Sequence, residues 1–179
     1  MKTLTMRKLA RDVRLTPMAV YHHFQDKDAL VDAMVAEGFA RLEGYLLPAR
    51  HPGLKPIARI RLILNRYLDF AAGEPAVFAL MFSRPADDDA PFPEYFGEGR
   101  SPTFDLLRAS VVEAIRAKAL RSSDPTELAL AFWAQVHGLV LLLAAPHRAD
   151  ERTFRPIVER TLDRLLAGVA SSSSSRRHG

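Results

Sequence analysis

Between residues 28 and 169 apolar side chains return every third or fourth position, and prolines cut that pattern into stretches of a few turns each. A period of three to four gives one apolar stripe along an α-helix, whereas a strand needs alternation. Ile57, Ile60, Leu64, Tyr67, Leu68 and Ala71 predict a helix over residues 56–72. Phe104, Leu107, Val111 and Ile115 predict another over 103–120, and Ile157, Val158, Leu162, Leu165 and Leu166 one over 151–169. Residues 76–83 form a short helix rich in Phe78, Leu80, Met81 and Phe82, and Asp28 caps a helix running to about Leu47. Residues 48–56, with Pro48, Gly53 and Pro56, read as a loop and a domain boundary. With no convincing alternating run, the expected fold class is all-α.

Composition narrows the function. The chain has no cysteine, which excludes disulfides, thiolate catalysis and zinc–sulfur sites. No glycine loop for phosphates and no placed Ser/His/Asp set is present, and the adjacent His22 and His23 point about 100° apart on a helix, a poor chelate. Asp87, Asp88 and Asp89 lie in a Pro- and Gly-rich loop over 84–102 without calcium-loop spacing. Neither an enzyme nor a metal or other cofactor is expected. The formal charge of +4 is concentrated at the front: Lys2, Arg7, Lys8, Arg11, Arg14 and Lys27 stand against Asp12 and Asp26, and the remainder is balanced. A basic front on a neutral body suits phosphate contact at one end. The start of the chain is polar and basic rather than signal-like. The apolar run 128–145 is interrupted by Gln135, His137 and Gly138 and ended by Pro146, so a buried or interface helix is expected rather than a membrane span. Residues 171–179 are low-complexity and expected to be disordered.

The basic front carries the most informative stretch, LTMRKLARDVRLTPMAVYHHFQDK over residues 4–27. Thr5 can cap a first helix, with Leu9, Ala10 and Val13 on one face. Thr16 directly before Pro17 is a helix start, a side-chain oxygen for the free N–H groups and a proline in the first turn. Two short helices so closely joined make a helix-turn-helix, whose second helix can enter the major groove. Val20 and Phe24 face inward with Leu15, while Met18, Ala19, Tyr21, His22 and His23 face out. Tyr and His edges hydrogen-bond phosphates and bases, and Met and Ala can rest on thymine methyls.

Thr5, Arg7, the Leu9-Ala10 pair, the run Ala19-Val20-Tyr21-His22-His23-Phe24, Lys27 and Leu30 together closely resemble the DNA-binding domain of the TetR family of bacterial transcriptional regulators. The resemblance implies that Thr5, Arg7, Thr16, Tyr21, His23 and Lys27 contact phosphates. Pro17, Met18, Ala19 and His22 would sit nearest the bases. Two departures stand out. Arg14 occupies the turn position where the family usually has glycine, at a cost of about 1 kcal/mol if the backbone stays left-handed. The family also carries a helix before this hairpin, and here it is apparently missing.

Phe132-Trp133-Ala134-Gln135-Val136-His137-Gly138-Leu139 also resembles the W-x-x-x-H-G-L segment of one C-terminal subgroup of that family, the WHG-type ligand-binding and dimerisation domain. His137, alone on an apolar helix, reads as a hydrogen-bonded core or interface histidine, and Gly138 as a place of close helix approach. Residues 1–47 would be the helix-turn-helix head with its connecting helix, and 48–170 an effector-binding and dimerisation domain. Helices 125–145 and 151–169 would pair with a second copy as a four-helix interface, giving a homodimer on double-stranded DNA with an inverted-repeat operator. A small hydrophobic or aromatic effector is implied. The aromatic and soft residues for its pocket are Tyr67, Phe70, Phe78, Met81, Phe82, Phe104 and Trp133, with Arg66 and His137 as polar anchors. The expected function is a ligand-responsive repressor in the cytoplasm. The competing reading is a helical ligand-binding or decoy protein with an incomplete DNA-binding head.

Overall fold

The computed structural model describes residues 11, 16–83, 96, 99–144 and 151–171, with the backbone alone at 17, 20, 21, 143, 144 and 151–153. Seven α-helices are found among them: α1 (Pro17–His23), α2 (Lys27–Leu46), α3 (Pro56–Gly73), α4 (Pro75–Met81), α5 (Pro102–Arg116), α6 (Pro125–Ala144) and α7 (Glu151–Val169). A 3-10 turn, Leu47–Arg50, occupies part of the expected 48–56 loop. The fold is all-α, and no strand occurs among the described residues beyond one isolated antiparallel bridge, Leu120 to Ala170.

Proline opens five of these helices, at positions 17, 56, 75, 102 and 125. The ring presets φ at a position whose N–H needs no helical partner. Side-chain oxygens supply caps: Ser101 for α5 and Asp124 for α6, the latter accepting from the Glu127 N–H at 2.9 Å. One expected cap is corrected. Asp26, not Asp28, accepts from the Ala29 N–H at 2.8 Å, so α2 begins at Lys27 and Asp28 falls in its first turn. The helix expected over 103–120 also ends earlier, at Arg116, because Lys118 turns into the left-handed region at φ 55° and Ala119 and Leu120 fold back onto the Ala114 carbonyl.

The core lies where α3, α5 and α6 meet, with α2 and α4 packed on one side of α3 and α7 packed on α6. Phe70, Phe132, Ile60, Val111 and Val136 are fully enclosed there. Phe154, Val158, Leu162 and Leu166, four apart on α7, are all buried, at about 1.5–3 kcal/mol per large side chain. Gly38 marks the closest crossing: a Cβ there would stand 2.7 Å from Met81 Cγ and Sδ, so α2 passes α4 with no room for a side chain. Gly138 does not play that part within the chain, since a Cβ at that position would meet nothing within 4 Å.

Ion pairs tie the shell. Arg41 on α2 reaches Glu37 at 3.0 Å and Glu74, between α3 and α4, at 2.9 Å. Asp69 on α3 holds Arg155 of α7 at 2.7 Å, and Arg61 of α3 pairs with Asp163 of α7. The segment Pro125–Leu142 is long and apolar enough to cross a membrane, yet only 28% of it is buried in the single chain. Leu141 and Leu142 stand half and two-thirds exposed.

Candidate DNA interface and effector cavity

Helix α1 is built as its sequence requires. The Thr16 hydroxyl accepts from the Ala19 N–H at 3.1 Å, Pro17 follows at the first helical position, and the helix ends after His23. Three residues separate it from α2, so the orientation of α1 depends on where α2 points. Met18 is 79% exposed, His22 and His23 are exposed with ring centroids 5.5 Å apart, and Lys27 is exposed at the first turn of α2. Ala19 and Phe24 are half-buried. Thr16, Met18, Ala19 and His22 border one shallow depression, so four of the expected DNA-contacting residues share a surface. Pro17 and Tyr21 occupy helical positions of α1. Thr5, Arg7, Arg14, the hairpin's turn and the question of a preceding helix fall outside the described residues; Arg11 is helical and exposed.

The body holds a cavity of about 140 Å³. Its walls are Phe39, Leu42 and Leu46 from α2, Ile63, Leu64 and Tyr67 from α3, and Thr103, Phe104 and Leu107 from α5. Trp133 of α6 closes it with Phe82, Phe96 and Ser101. It therefore lies between the connecting helix and the rest of the body. Of the nine residues proposed from the sequence for a pocket, Tyr67, Phe82, Phe104 and Trp133 line this space. The other five do not. Phe70, Phe78 and Met81 are buried in the general core. Arg66 is not among the lining residues, and its guanidinium lies 3.2 Å from Asp69 three residues along.

His137 stands one layer behind the wall. Its Nδ1 is 2.7 Å from the Tyr67 hydroxyl, its ring stacks on Trp133 at 4.8 Å, and Phe82 meets it edge-on at 4.7 Å. Burial lowers its pKa and favours the neutral ring, whose Nδ1 shares a hydrogen bond with the Tyr67 hydroxyl. The same burial pushes the Tyr67 phenol far up, keeping it a donor. His137 is thus a hydrogen-bonded histidine that orients two cavity residues. The residues sequence reasoning missed are those of α2, with Ile63, Leu64, Phe96, Ser101, Thr103 and Leu107. An apolar stripe looks the same whether it faces a cavity or packed core. Only Ser101 and Thr103, polar residues at the start of an apolar helix, gave a local signal.

Two family models match. One, described as the tetracyclin repressor-like C-terminal domain, covers residues 60–168, the body that contains the cavity. The other, bacterial regulatory proteins of the tetR family, covers residues 1–34, including α1. The chain belongs to the TetR family. Members are non-enzymatic, DNA-binding regulators of transcription with a helix-turn-helix head. Among solved structures, a protein of unknown function from Rhodococcus sp. RHA1 is similar at 29% identity, covering 94% of this chain and 86% of that one with a TM-score of 0.75. A tetR-family regulatory protein from Rhodococcus RHA1 is 20% identical over 94% and 87% of the two chains, with a TM-score of 0.72. AibR, in complex with isovaleryl coenzyme A and operator DNA, is 20% identical over 91% and 87%, with a TM-score of 0.71. At such identities the last two speak for the TetR fold alone.

Proposed function

We propose that this TetR-family chain is a ligand-responsive repressor that binds an inverted-repeat operator as a homodimer in the cytoplasm. The observation that carries the reading is the position of the cavity. Phe39, Leu42 and Leu46 form one of its walls and belong to the helix that leads, three residues upstream, to α1. A molecule entering the space must displace or brace that helix, and α1 turns with it. In a symmetric dimer, two recognition helices fit successive major grooves only at a centre-to-centre distance of about 34–36 Å. An effector that binds better to a mismatched spacing weakens DNA binding by its differential affinity for the two states. AibR, solved with both an acyl-coenzyme A and operator DNA, is a precedent for one protein of this fold holding a small molecule and DNA.

The second copy is assigned to α6 and α7. The single chain leaves Glu127, Ala131, Ala134, Leu141 and Leu142 of α6 exposed, and the open space beside Gly138 and Gly168 lies on the same two helices. A second α6–α7 pair covers such a face as a four-helix interface.

The test is titration of purified protein into labelled inverted-repeat duplexes drawn from the DNA flanking its own gene, at low salt. Saturable binding is expected, and His22→Ala or Lys27→Ala weakens it by about 1 kcal/mol or more. Lys27→Ala also flattens the salt dependence. A protein that ignores every such duplex, or variants that bind as the parent does, would contradict the reading.

A further inference from the structure

Resting on the effector reading above, we infer that the cavity accepts an uncharged, ring-sized apolar compound with one hydrogen-bond acceptor, and that the Ser101–Thr103 hydroxyl pair selects for that acceptor. Size comes first. The cavity of about 140 Å³ is close to the roughly 150 Å³ apolar cavity that holds a benzene ring. Charge comes next. No charged residue stands among the described lining residues, and the helical arginines next in sequence to the lining each face a carboxylate: Arg41 with Glu37 and Glu74, Arg66 with Asp69, and Arg108 with Asp105. An ionised carboxylate in that lining would lose its hydration without gaining a partner.

The polar side chains then define the one directional contact. The Tyr67 hydroxyl is committed to His137 Nδ1 at 2.7 Å. Ser101 Oγ lies 3.2 Å from Thr103 Oγ1 and also accepts the Phe104 N–H at 3.4 Å as the cap of α5. Two hydroxyls bring two hydrogens, and the bond between them uses one. The other is left for a further acceptor, and because both residues line the cavity a carbonyl or ether oxygen on the ligand can take it. A hydrocarbon of the same shape leaves that donor unpaired.

Trp133 is the one tryptophan in the chain and lines the cavity, so its emission reports occupancy without DNA. The probes are three compounds of nearly equal shape: acetophenone, ethylbenzene and benzoate. Acetophenone is expected to change Trp133 emission saturably and raise Tm, with ethylbenzene weaker and benzoate at pH 8 at least about tenfold weaker. Removing both hydroxyls, Ser101→Gly with Thr103→Val, should reduce acetophenone affinity about three- to tenfold and leave ethylbenzene unchanged, while Thr103→Val alone, which leaves the Ser101 hydroxyl to donate, should stay near the parent value. Benzoate binding as tightly as acetophenone, no saturable response to either neutral probe, or an acetophenone affinity indifferent to the loss of both hydroxyls overturns the inference. Because the measurement contains no DNA, an anion that binds in place of the neutral probes defeats this assignment and leaves ligand-responsive regulation standing. Intact probe binding without any effect on operator binding does the reverse.

Discussion

Tyr67 and His137 form the pair on which the cavity wall is hung, and their chemistry makes a directional prediction. Burial holds the His137 pKa below its ordinary value of 6.5, so the unfolded chain binds the proton more readily than the folded one. The stability from the neutral ring is therefore present above about pH 6.5 and lost as pH falls through the lower folded value. Tm should drop between pH 7 and pH 5 more steeply in the parent than in His137→Gln, and parallel curves would contradict the assignment. Tyr67→Phe removes the donor and leaves Nδ1 unpaired beside three aromatic rings, at a cost of about 0.5–1.5 kcal/mol by denaturant unfolding. Lys118 gives a prediction of opposite sign. Its φ of 55° is one glycine adopts freely, so Lys118→Gly, just past the end of α5, should be neutral or stabilising by up to about 1 kcal/mol, although glycine inside α5 would destabilise.

At the scale of elements, Gly38 and Met81 set the distance between the connecting helix and α4. Alanine at position 38 gains up to about 1 kcal/mol of helix propensity. It also puts a methyl 2.7 Å from two atoms of a buried methionine, and overpacking of that kind costs about 1–3 kcal/mol. The second effect wins. Gly38→Ala should lower stability, and the cost should shrink when Met81 is also cut to alanine, which a double-mutant cycle measures. The elements themselves were largely legible in the sequence. Proline at five helix starts and an oxygen-bearing side chain before α1, α5 and α6 announce those boundaries locally. The cap of α2 was misplaced because Asp26 and Asp28 are equally good caps, and only the path of the chain chooses between them. The cavity was half hidden for a related reason. Four aromatic residues of its wall could be named from composition, but Leu42 and Leu46 have the same helical spacing as any core leucine. Arg66 misled because an arginine's partner three residues along is invisible until the helix is built.

For the whole molecule the open question is what lies against α6. A helix of this apolarity leaves its outer face to water in a single chain, with Leu141 and Leu142 most exposed. If a second copy covers that face, Leu141→Glu together with Leu142→Glu should give a folded monomer by sedimentation and abolish operator binding. A dimer that persists would place the interface elsewhere. The regulatory account needs that dimer, because it works by spacing two heads. Its central claim is that filling the cavity behind Phe39, Leu42 and Leu46 changes the spacing. The chain lacks cysteine, and Ala36 is exposed on α2, so Ala36→Cys carries one spin label per protomer on the connecting helix itself. The distance between the two labels, measured by dipolar spectroscopy, should be single and narrow on operator DNA. It should shift or broaden when acetophenone saturates the DNA-free protein. A distance that is identical with DNA, with acetophenone and with neither, or no dipolar coupling at all, would contradict the account.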